Sequence, residues 1–135
     1  MGAGLDALVR DLVMVQTTGC RRVGLIPAVH REFCELERKF KSRLERHFKN
    51  YGVPRTTLPP EHFKSQGRFS TGGLAPKNVQ IFVFKAFQIR IYGVTVPVCG
   101  VETFIGLEII SDKKRDRVEA EFLQRVAKKA RPYLD

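Results

Sequence analysis

Val79-Gln-Ile-Phe-Val-Phe84 and Phe87-Gln-Ile-Arg-Ile-Tyr92, followed by Thr103-Phe-Ile-Gly-Leu-Glu-Ile-Ile110, are the stretches that set the fold class. In the first, Val79, Ile81 and Val83 alternate with Gln80, Phe82 and Phe84; in the second, Phe87, Ile89 and Ile91 alternate with Gln88, Arg90 and Tyr92. A period of two means strands. The break near Lys85-Ala86 is a tight turn or a bulge. Gly93, Pro97 and Gly100 punctuate a short third segment, and the mostly apolar Thr103–Ile110 run reads as a central strand. If Phe87, Ile89 and Ile91 face the core, Arg90 stands on the exposed side beside Gln88 and Tyr92. Tyr92 is then either a packed ring or a hydroxyl facing substrate.

Before this sheet the pattern is helical. Over 27–50, Val29, Phe33, Leu36, Phe40, Leu44 and Phe48 recur at steps of three and four, which predicts one amphipathic helix. Pro27 suits its first turn, and Gly52 and Pro54 stop it. Its other face carries Arg31, Arg38, Lys39, Lys41, Arg43, Arg46 and Lys49, either a solvated face with pairs such as Glu35 to Lys39 or a secondary phosphate-tracking surface. Leu5, Leu8, Val9, Leu12 and Val13 predict a short helix over 4–16. Residues 53–78, rich in Pro, Gly, Ser and Thr, read as a long connection, with Phe63 and Phe69 as anchors to the core. Asp112 is a plausible N-cap for a last helix with Val118, Phe122, Val126 and Ala130 on its buried stripe. The organisation expected is an N-terminal extension or short helix over 1–24 and one basic α+β domain over 25–135.

Composition bounds the partner. The 135 residues hold 24 Lys and Arg against 14 Asp and Glu, a net charge of +10. Such a balance suits nucleic acid, a ribosome, an acidic protein or an anionic membrane. No apolar run approaches the ~20 residues that span a bilayer, and charges inside the N-terminal apolar stretch make it a poor signal-peptide core. Cys20, Cys34 and Cys99 form no CxxC pair, which points to reduced thiols in a cytoplasmic protein.

The cations of the regular part are the candidate site. Lys85 and Arg90 flank one strand junction, and Lys113, Lys114, Arg115 and Arg117 follow the last strand. Three cations in the first turn of a helix oppose its dipole, a local conflict that marks a site. Lys64, Arg68 and Lys77 in the long connection are further candidate nucleic-acid contacts. His30, His47 and His62 lack metal-ligand spacing and read as structural or surface residues. No carboxylate pair or phosphate-binding glycine loop stands out, so no metal or cofactor is expected.

Phe84-Lys-Ala-Phe-Gln-Ile-Arg-Ile-Tyr-Gly93 and Phe104-Ile-Gly-Leu-Glu-Ile-Ile-Ser-Asp-Lys-Lys-Arg115 resemble the RelE/ParE superfamily of type II toxin–antitoxin toxins, HigB-like members above all. In those members an Arg-bearing strand precedes an apolar strand ending in a Lys-Lys motif; a phage or mobile-element relative fits too. The resemblance implies a small antiparallel sheet flanked by helices. It also implies a ribosome-dependent endoribonuclease that cuts messenger RNA without a metal, the RNA's 2′-hydroxyl attacking the adjacent phosphate. An antitoxin protein would control it. Arg90 matches the strand arginine, and Lys114 and Arg115 lie near the second basic position. Lys85 or Tyr92 would assist proton transfer. Val118 and Glu119 stand where many RNase members carry a Tyr or His. The alternative is a non-catalytic RNA- or DNA-binding protein, or a gyrase inhibitor of ParE-like kind.

Overall fold

The structure is a computed structural model that describes residues 10–111 and 120–134. Along the chain come β1 (Val13–Gln16), β2 (Arg21–Leu25), α1 (Pro27–Cys34), α2 (Arg38–Gly52) and β3 (Phe63–Ser70). They are followed by β4 (Asn78–Ala86), β5 (Ile89–Val98), β6 (Val101–Ile110) and α3 (Ala120–Ala130), with a 3-10 turn at Arg131–Tyr133. The strands form one sheet in the order β1-β2-β6-β5-β4-β3. The protein is therefore α+β. The sheet is larger than the small one expected, and it is mixed, because β2 runs parallel to β6 while every other pair is antiparallel.

The 27–50 stripe makes two helices where one is expected. The chain turns at residues 35–37, and the Glu37 carbonyl restarts the ladder by accepting from the amides of Phe40 and Lys41. On one straight helix Phe33 and Phe48 would lie ~22 Å apart. The bend brings their rings to 5.8 Å, so both helices lay their apolar sides on one sheet face. Pro27 opens α1 as expected.

The N-terminal stretch differs too. Residues 13–16, expected in a helix, are a strand paired to β2, because a partner strand outweighs a weak helical pattern. Residues 63–70 of the supposed connection are β3, an edge strand whose mostly exposed face gives no apolar alternation to read. What looked like a third segment is the second half of β5. There Gly93 faces Gly106 across the ladder, and a side chain at 93 would strike the Ile105 carbonyl and lie 2.8 Å from the Phe104 ring. These glycines let two central strands close up.

Both sheet faces are covered. Leu44, Phe48, Tyr51, Phe84, Ile91 and Phe104 lie in the core under α1 and α2. Ile81, Val83, Tyr92, Val94, Leu107 and Val126 lie in a second core under α3. Alternation along β4 and β5 thus sorts side chains between two interiors rather than between core and water. Among the described residues no helix is long and apolar enough to cross a membrane.

Candidate nucleic-acid interface

The β4–β5 hairpin closes on a two-residue turn, Phe87–Gln88, between the pair Ala86 and Ile89. Phe87 has φ +57, and the adjacent Gln88 does not share the positive φ. A positive φ at the first turn position alone belongs to the turn type that favours glycine there. A bulky residue held so costs ~1–3 kcal/mol. The ring it presents is 52% exposed.

Cations gather around that ring. Phe40 of α2 lies 5.0 Å from it, the Arg43 guanidinium 5.3 Å over it, and the Lys39 ammonium 6.0 Å away. Lys39 and Arg43 are one helical turn apart, so one face of α2 delivers both. An exposed ring banked by cations offers a stacking platform for a base and charge for its phosphates. Helical periodicity assigns Phe40 to the core, and strand alternation assigns Phe87 there. That the two rings meet at the hairpin tip follows from the packing of α2 against the β4–β5 turn.

Arg90 is not exposed, contrary to the expectation. It is 9% exposed, and its Nη1 donates to the carbonyls of Phe87 at 2.7 Å and Ile89 at 3.0 Å. Arg90 thus braces the turn that raises Phe87. Tyr92 is the packed ring of the two options: 1% exposed, it meets Phe122 edge-on at 5.0 Å beneath α3. The reason is the same for both, since the face opposite Ile89 and Ile91 is the second core.

Lys85 pairs with Arg90 across the ladder, and Arg90 pairs with Ile110 at the end of β6. Lys113, Lys114, Arg115 and Arg117 lie outside the described residues, as do Asp112 and Val118. The other candidates do not converge here. Lys64 is exposed opposite Val83, Arg68 opposite Gln80, and Lys77 precedes β4 at the far end, with Nζ 3.5 Å from the Leu134 carbonyl. Among the described residues no three His, Cys, Asp or Glu side chains converge as a metal-ligand set.

A histidine pair lies behind Lys85. His47 and His62 stack at 4.0 Å, and the Lys85 amide donates to the His62 carbonyl at 2.8 Å. His47 is 2% exposed, and its Nδ1 has no hydrogen-bond partner among the described residues. Burial, then His62, Arg43 and Arg46, push its pKa down to about 4. The unfolded chain takes that proton near pH 6.5. Stability is therefore fully present above about pH 6.5 and declines as pH falls to about 4, by ~3 kcal/mol. Denaturant midpoints across that range should fall less steeply in His47→Phe; equal slopes would contradict the assignment.

Phe87→Gly separates binding from folding. Glycine relieves the strained φ, so melting temperature should hold or rise. Affinity for single-stranded RNA should fall ~10- to ~100-fold, the worth of one stacked base. Unchanged affinity would remove the ring from the interface. No family model matches the chain, and neither a curated protein nor a solved structure shows significant similarity to it.

Proposed function

We propose that the protein is a RelE-like toxin that engages messenger RNA on the ribosome and cuts it through the RNA's own 2′-hydroxyl. The observation that carries the RNA contact is Phe87, exposed on a strained turn with Lys39 and Arg43 over its ring. Helices flanking a sheet in which β3 to β6 run antiparallel are compatible with the α+β layout the resemblance implies, while β1 and the parallel β2 lie outside it. Lys114 and Arg115 would stabilise charge on the scissile phosphate, with Lys85 assisting proton transfer. Arg90 supports the site by holding the hairpin tip. A cognate antitoxin would cover the basic end.

A second reading is a non-catalytic RNA- or DNA-binding protein, or a gyrase inhibitor. It is favoured by Arg90 and Tyr92, whose side chains hold structural posts. The deciding experiment induces the protein, follows growth and maps messenger-RNA 5′-ends, with purified protein added to translating ribosomes in parallel. Growth arrest with new 5′-ends only on translated messages supports the nuclease; RNA binding without cleavage supports the second reading. RNA affinity should fall about 1000-fold or more between ~50 and ~200 mM salt if six or more phosphates are contacted. A salt-insensitive complex would point to an apolar protein interface.

A further inference from the structure

A cavity of about 360 Å³ opens between the end of α2, the segment after Thr56 and the first residues of β3. Tyr51, Phe63 and Phe82 wall it, and Arg21 and Lys64 bring positive charge to it. Among the described residues none that lines it is a carboxylate, and Glu102, the ladder partner of Arg21, is engaged by the Tyr51 hydroxyl. We infer that this cavity binds a nucleotide, the base against the rings and the phosphate against Arg21 and Lys64.

The walls are set before any ligand arrives. The Tyr51 hydroxyl donates to Glu102 Oε2 at 3.1 Å, and Phe63 lies parallel to Phe82 with centroids 5.2 Å apart. The Arg21 guanidinium sits 4.4 Å over the Tyr51 ring while its Nη2 donates to the Thr56 carbonyl at 2.8 Å. That bond uses one of five guanidinium donors and fixes the direction of the rest. Flat apolar walls select a ring. Two cations in the lining, against one neighbouring carboxylate already held by the Tyr51 hydroxyl, favour negative charge on it, and phosphate suits a guanidinium fork. The volume is at the lower end of ligand cavities, which suits one nucleotide rather than a dinucleotide cofactor.

The inference deepens the RNA reading and rests on it for the source of the nucleotide. Phe82 and Ala86 are ~13 Å apart along β4, so the cavity and the Phe87 tip lie within reach of one short single strand. A free mononucleotide offers the same chemistry.

The test follows amide resonances of the isotope-labelled protein with three probes: 5′-AMP, adenosine and single-stranded hexa-adenylate. With 5′-AMP the expected shifts fall at residues 57–58 and 63–65, and adenosine binds at least ~10-fold more weakly. Lys64→Gln, at an exposed position, should weaken 5′-AMP ~3- to ~10-fold at unchanged melting temperature. Phe63→Leu, which keeps an apolar wall without a ring, should weaken it ~10-fold or more. Hexamer binding much tighter than 5′-AMP, with the same losses in the variants, makes the ligand a unit of RNA; equal binding makes it a free mononucleotide. A silent cavity with 5′-AMP, or Lys64→Gln and Phe63→Leu binding like wild type, overturns the inference. Hexamer shifts confined to the Phe87 tip would overturn the cavity and leave the RNA reading standing. Binding of 5′-AMP without any hexamer binding would do the reverse.

Discussion

Phe84→Ala is expected to cost ~3–5 kcal/mol of stability, the range for a fully buried Phe. Phe84 is 0% exposed and lies at the meeting of α2 and the sheet. Its ring touches Phe63 at 4.5 Å, Phe104 at 4.8 Å, Phe48 at 5.0 Å and Tyr51 at 5.5 Å. Three of those contacts, to Phe48, Tyr51 and Phe104, are edge-on at 83° to 87°, the geometry in which a ring's positive edge meets a negative face. Its neighbours come from α2, β3 and β6, so they cannot all collapse into the space left. Phe40 is the contrast: it is only partly buried at the edge of this core, with Phe87 as its one ring neighbour among the described residues, and Phe40→Ala should cost well under half as much. Urea melts of the two variants decide it. Equal losses would mean that the core is not centred where the rings converge.

The second expectation concerns chemistry. Changing Lys114 and Arg115 together to Ala should lower messenger-RNA cleavage ~100- to ~1000-fold, the usual loss when a donor to developing charge is removed. Without a metal, no other group is assigned to that charge in the proposed reaction. Arg90→Ala cannot serve as a clean catalytic test. Its guanidinium holds two turn carbonyls, so this variant should lose stability and activity together. Melting curves beside cleavage assays separate the two. A Lys114 and Arg115 double variant that cuts like wild type would sink the catalytic assignment.

Period-two alternation in Val79–Phe84 and the apolar run Thr103–Ile110 were enough to find β4 and β6 and to place β6 in the sheet interior, because regular backbone imposes its period directly on the chain. Pro27 marked the start of α1, and Val126 and Ala130 the buried side of α3, for the same local reasons. The charge of +10 likewise needed no structure to suggest an anionic partner. β2 and β3 were not legible. One is a five-residue strand whose apolar residues do not alternate, and the other is a polar edge strand, so each is defined by its partner rather than by its own pattern. The break between α1 and α2 has no Gly or Pro to announce it; it follows from two helices sharing one face. Alternation said that Arg90 and Ile91 face opposite ways, but it could not say that α3 covers Arg90's side. That is why an arginine expected in water proved to brace a turn. The tip cluster of Phe40, Phe87, Lys39 and Arg43 joins residues more than forty positions apart, and the cavity beside Tyr51 joins residues from four elements and a loop. Sequence fixes periods along single elements. Which faces are covered, and which side chains meet, depends on how distant elements pack, and only the tertiary structure decides that.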